Sequence, residues 1–137
     1  MKLDPTATIL LVEDEPSDVF LMKRALKKAQ IANPLQVASD GQEAINYLSG
    51  VDKFSDRTQF PLPGIVFLDL KLPYKNGFEI LAWIRSESHL ASTPVMILTS
   101  SSEERDIAEC RRLGARTFLV KPPTAEMLTE VMASLEE

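Results

Sequence analysis

Cysteine, histidine and tryptophan each occur once, as Cys110, His89 and Trp83. One thiol cannot close an intramolecular disulfide, and with a single imidazole it cannot assemble a Cys/His metal centre. That scarcity suits a reducing compartment, so the expected location is cytoplasmic. Basic residues are also in deficit: 15 Lys and Arg stand against 20 Asp and Glu, for a net charge of -5. With no basic stripe in the chain, neutralisation of a nucleic-acid backbone is excluded as the main task. No apolar run approaches the roughly 20 residues that span a bilayer, and residues 1–8 lack the apolar centre of a signal peptide. Neither nucleic acid nor a membrane is an expected partner.

What is present is an ordinary globular balance, 45% hydrophobic and 26% charged over 137 residues. That length suits a single domain, 1–137, with a core over about residues 7–135. Four short apolar runs are continuous or nearly so: 7–12, 65–68, 95–98 and 117–120. A continuous run of this length reads as a strand covered on both faces. A fifth short strand is expected around 35–38. Between the strands the period lengthens. Val19, Met22, Leu26 and Ala29 share one helical side behind Pro16, which suits a first turn. Ala44, Ile45 and Leu48 follow the turn residues Asp40 and Gly41, and Gly50 ends that segment. Phe78, Ile80, Leu81 and Ile84 mark a third helix. Ser101 and Glu104 have capping-box spacing for a fourth, which stops near Gly114. Leu128, Val131, Met132 and Leu135 mark a fifth, beginning near Pro123 and Thr124. Residues 51–63, with Pro61 and Pro63, read as a long polar loop.

Five strands alternating with five helical segments call for an α/β fold with a parallel sheet and right-handed crossovers. The flavodoxin-like doubly wound order 2-1-3-4-5 fits this length, and it gathers the carboxyl ends of the strands at one crevice. The residues at those ends are Glu13 and Asp14, then Asp69, Thr99 and Lys121. Clustered carboxylates raise one another's pKa unless a cation compensates. Mg²⁺, an oxygen-seeking ion that binds one or two carboxylates and keeps positions for water and phosphate, matches this donor set. Beside such an ion Asp69 could act as a carboxylate nucleophile on phosphorus, with Lys121 stabilising the phosphoryl oxygens and Thr99 donating its hydroxyl.

These residues sit in four motifs: Ile9-Leu10-Leu11-Val12-Glu13-Asp14, Phe67-Leu68-Asp69-Leu70-Lys71-Leu72-Pro73 through Gly77, Leu98-Thr99-Ser100, and Phe118-Leu119-Val120-Lys121-Pro122. Together they resemble the receiver domain of two-component response regulators, over essentially the whole chain. The resemblance implies Asp69 as phosphoacceptor for a partner histidine kinase, and Mg²⁺ held by Asp14, Asp69 and the backbone carbonyl of Lys71, with Glu13 acting through water. It also implies Thr99 and Phe118 as switch residues, Lys121 as the ion-pair partner of the phosphoryl group, and a cis bond between Lys121 and Pro122. Such a protein is a phosphoacceptor rather than an enzyme in the usual sense. It catalyses only its own phosphorylation and dephosphorylation, and it signals through a changed surface of helix four, strand five and helix five. Because the chain ends soon after the fifth helix, no output domain is expected. The opening of helix one, Asp18-Val19-Phe20-Leu21, and the long loop before strand three look like the regulators paired with phytochrome-type kinases, some of which form homodimers through that same surface. Pro123, a second proline after Lys121, departs from the usual pattern, as do Lys71 and Ser100 at positions that tune access of hydrolytic water.

Each of these residues taken singly has an ordinary explanation: Asp14 and Thr99 as helix caps, Lys121 as a solvated cation, Phe118 as a partly buried core residue. His89 reads as an exposed surface side chain, Cys110 as a small packed hydrophobe, Trp83 as partly buried, and Met127 and Met132 as packing residues. Two rivals remain open at this point. A haloacid-dehalogenase-like phosphatase also uses a strand-end Asp with Mg²⁺, but its motif has an acid where Lys71 stands. A pseudo-receiver would bind partners without being phosphorylated.

Overall fold

The computed structural model describes residues 3–72, 76–100 and 103–135. Five strands, β1 (Ile9–Val12), β2 (Leu35–Ala38), β3 (Ile65–Asp69), β4 (Val95–Thr99) and β5 (Thr117–Val120), form one parallel sheet in the order β2-β1-β3-β4-β5. Five helices connect and cover them: α1 (Pro16–Lys28), α2 (Gly41–Ser49), α3 (Gly77–Ser86), α4 (Glu104–Arg112) and α5 (Ala125–Ser134). This is the expected flavodoxin-like arrangement.

The three central strands β1, β3 and β4 are buried along their whole lengths, which is why their sequences show no alternation. Alternate residues nonetheless serve two separate cores. Ile9, Leu11, Ile65, Phe67, Met96 and Leu98 pack with Met22, Ala25 and Leu26 of α1 and Leu128 and Val131 of α5. Leu10, Val12, Val66, Leu68 and Ile97 face the other way, onto Ala44 and Leu48 of α2, Ile80, Leu81 and Ile84 of α3, and Cys110 of α4. The outer strands are less covered, and Val120 at the end of β5 is 38% exposed. Met132 and Phe118 are partly buried against the first and second of these cores, and Trp83 against the second. His89 stays exposed, its Nε2 lying 3.1 Å from the Leu48 carbonyl oxygen.

Two local expectations sharpen. Residues 51–63 form the expected long connection, but an ordered one. They contain a 3-10 helix (Asp52–Ser55) and an aromatic cluster in which the Phe54 ring lies tilted 5.1 Å from Tyr47 and edge-on 5.0 Å from Phe60. Arg57 ties the segment down, donating to the carbonyl oxygens of Tyr47, Leu48 and Phe60. Apolar side chains spaced without period carry no helix or strand signal, so this order was invisible in the sequence. Gly50, at φ 72°, makes the left-handed turn that ends α2, and a Cβ there would meet Arg57 Nη2 at 2.8 Å. The second concerns α4. It starts at Glu104 with Glu103 at the N-cap position, and the expected cap Ser101 lies outside the described residues, as does Pro73. The double proline does not disturb α5, where Thr124 caps the helix by accepting from the Met127 amide at 3.1 Å.

Candidate functional site

Strand register brings the polar strand ends together. β1 pairs with β3 in step, Val12 beside Leu68, so Glu13 and Asp69 emerge next to each other one residue later. On the other side Thr99 pairs with Val120, and the Lys121 amide donates to the Thr99 carbonyl at 2.7 Å. Asp69 and Thr99 are 4% and 0% exposed, and Glu13 2%. A buried carboxylate pair survives only with compensation.

Lys121 supplies part of it. Its ammonium donates to Asp69 Oδ2 at 2.8 Å, to Asp18 Oδ2 at 2.9 Å and to Glu13 Oε1. Burial works against the charged ammonium, but the hydrogen bonds to Asp69, Glu13 and Asp18 outweigh it and hold the pKa above that of an ordinary lysine. Glu13 goes the other way for a carboxylate. Desolvation, aided by the nearby Asp69 charge, pushes it up to about 7 despite the bond from Lys121. One ammonium therefore does not neutralise this cluster. The remaining Asp69 oxygen, Oδ1, accepts the Lys71 amide at 3.0 Å. The Lys121–Pro122 bond is cis.

Gly77 sets how closely α3 approaches this edge. Its amide donates to the Leu70 carbonyl at 2.9 Å, and a Cβ would lie 2.5 Å from the Asp69 carbonyl oxygen. Only glycine allows the helix start to sit against the backbone that carries Asp69.

Glu13, Asp14 and Asp69 each bring a carboxylate oxygen within 4.8 Å of the others. An all-oxygen set of this size, with surplus negative charge, fits a hard divalent cation and does not fit a soft one. A small cleft of about 270 Å³ opens above it, walled by Asp14, Asp18, Asp69, Lys71, Ser100 and Lys121 among others. Asp18 was missing from the candidates read in the sequence. It stands in the first turn of α1, where an acid is usual because it favours the helix dipole, and nothing local marks a bond to a residue 103 positions later.

Compared with known proteins, residues 9–133 match the response regulator receiver domain. The chain belongs to this family. The response regulator Rcp1 of Synechocystis sp. is 32% identical over 97% of this chain and 88% of Rcp1. A solved Mn²⁺-bound form of Rcp1 superposes with TM-score 0.77, covering 95% of this chain and 91% of that one. The bacteriophytochrome response regulator AtBRR is 41% identical with TM-score 0.84, over 95% of this receiver and 92% of AtBRR. The phosphorylated cyanobacterial phytochrome response regulator RcpA is 31% identical with TM-score 0.79, over 96% and 91%. This receiver is thus a signalling protein of two-component type. Among its described residues no helix is long and apolar enough to cross a membrane.

Proposed function

We propose that this receiver takes a phosphoryl group onto Asp69 from a histidine kinase of the type that partners phytochromes. The observation that carries the reading is the Lys121 ammonium bonded to Asp69 beside the Glu13, Asp14 and Asp69 oxygens. Asp14, Asp69 and the Lys71 carbonyl would hold Mg²⁺, with Glu13 acting through water. Mg²⁺ held there would supply neutralisation of the surplus charge and of the phosphoryl oxygens.

The protein's own groups do the rest. The Lys71 amide and Lys121 orient the two oxygens of Asp69, so that one can attack phosphorus while the other stays hydrogen-bonded. The Lys121 N–H now on Asp69 turns to a phosphoryl oxygen as charge builds there. Thr99, buried at the end of β4, donates its hydroxyl to the same group, and Phe118, half-buried on β5 opposite Ile97, follows inward. The surface of α4, β5 and α5 changes with Phe118, and it serves the downstream protein or a second copy of the chain. Relatives named for phytochrome signalling, AtBRR and RcpA, support the choice of kinase.

Incubation with acetyl phosphate and Mg²⁺, followed by intact mass, tests the reading. The wild type gains one phosphoryl group, Asp69→Asn gains none, and a general phosphate ester is not turned over. Labelling of Asp69→Asn at the wild-type level would overturn it.

A further inference from the structure

An ammonium has three N–H donors, and those of Lys121 are all committed: to Glu13 at the buried floor, to Asp69, and to Asp18 on the cleft wall. Two of these bonds survive when a phosphoryl group takes the third. We propose that Asp18 is a positioning residue for phosphoryl transfer. Together with Glu13 it fixes the rotation of the Lys121 ammonium, so that the remaining N–H points at the place the phosphoryl oxygens will occupy. This inference rests on the assignment of Asp69 as phosphoacceptor.

The geometry separates this role from that of an ordinary surface acid. A first-turn Asp bonded only to water would act through the helix dipole alone. Asp18 instead reaches Lys121 at 2.9 Å, where the lysine side chain is 14% exposed and its own is 32% exposed. A flexible four-carbon stem leaves Lys121 free to swing. With Glu13 alone it would pivot about one bond. Asp18 comes from a different element, α1, and closes the angle that Glu13, at the end of β1, leaves open. During transfer from acetyl phosphate the donor P–O bond breaks and its electron pair leaves on acetate. A new P–O bond forms to an Asp69 carboxylate oxygen, and the freed Lys121 N–H passes to a phosphoryl oxygen. No proton changes hands on Lys121 or Asp18.

Two variants separate position from charge. Asp18→Ala removes both the acceptor and the negative charge, whereas Asp18→Asn removes the charge and keeps a side-chain oxygen that can accept. Both should change Mg²⁺ affinity, measured by calorimetry, by the same modest factor. Phosphorylation at saturating Mg²⁺ should slow about tenfold in Asp18→Ala, the loss of one charge-assisted bond to a positioned group, and recover to within about threefold of wild type in Asp18→Asn. A second readout needs no phosphorylation. In the unmodified protein, the ¹⁵N-resolved ammonium protons of Lys121 should exchange slowly in wild type and Asp18→Asn and broaden away in Asp18→Ala. Equal rates in Asp18→Ala and Asp18→Asn, or unchanged Lys121 signals in Asp18→Ala, would overturn the proposal. Failure of the wild type to be labelled would instead overturn the phosphoacceptor assignment, with the Lys121 spectra still reporting on Asp18.

Discussion

Lys121 and Arg57 are both cations held by three oxygens, and they do opposite things. Lys121 is held by three carboxylates, from Glu13, Asp18 and Asp69. Arg57 is held by three backbone carbonyls, from Tyr47, Leu48 and Phe60. Two of the carbonyls on Arg57 belong to the last turn of α2, where the helix dipole favours a cation. Neutral acceptors and one charge make a closed account, and the aromatic rings of Tyr47, Phe54 and Phe60 seal it. At Lys121 the charges do not balance, and with Asp14 alongside the surplus is larger still. The Arg57 site is complete as folded. The Lys121 site is left short of positive charge, which suits one made to receive a divalent ion and then a phosphoryl group.

That contrast can be broken most sharply at the two cations themselves. Lys121→Met should lower the rate of Asp69 labelling by acetyl phosphate about a hundredfold, as expected when a preorganised donor to developing charge is removed. Arg57→Met should leave labelling within about twofold of wild type but cost about 2 kcal/mol in urea unfolding, because it removes the three bonds that hold the 51–63 segment in place against α2. If Arg57→Met also abolished labelling, the two sites would not be independent.

A smaller effect follows from Glu13. Its pKa is about 7 in the folded protein against 4.5 ordinarily, so between those values the folded state binds more protons than the unfolded one. Stability of the metal-free protein should therefore fall as pH rises from 4.5 to about 7 and then level off. Thermal melts in chelator should show this slope, and saturating Mg²⁺ should remove most of it, since the ion favours the ionised carboxylate. The smallest effect is expected at Cys110, where burial, with the charges of Asp106 and Glu109, pushes the thiol up to about 11. Its reaction with a thiol-specific disulfide reagent at neutral pH should be negligible until denaturant is added, with or without Mg²⁺.

How much of this was legible in the chain differs between the same two places. Glu13, Asp14, Asp69, Thr99 and Lys121 could be found because each follows a continuous apolar run, and a parallel sheet must gather the carboxyl ends of such runs. Asp18 could not, since its bond to Lys121 depends on how α1 packs beside α5 on the same face of the sheet. The staple at Arg57 within the 51–63 loop was not legible because its aromatic residues follow no period and its acceptors are backbone atoms, which every residue has.

By itself, then, the order of amino acids determined the alternation of strands and helices, the strand order and the set of polar residues at one sheet edge. These depend on local periodicity and on chain connectivity, which a sequence carries directly. Only the tertiary structure decided that Lys121 divides its three donors among Glu13, Asp18 and Asp69, that Gly77 presses against the Asp69 backbone, and that Arg57 locks a segment that looks unstructured. Those facts depend on distances between elements far apart in the chain, which are settled when the two cores pack and not before.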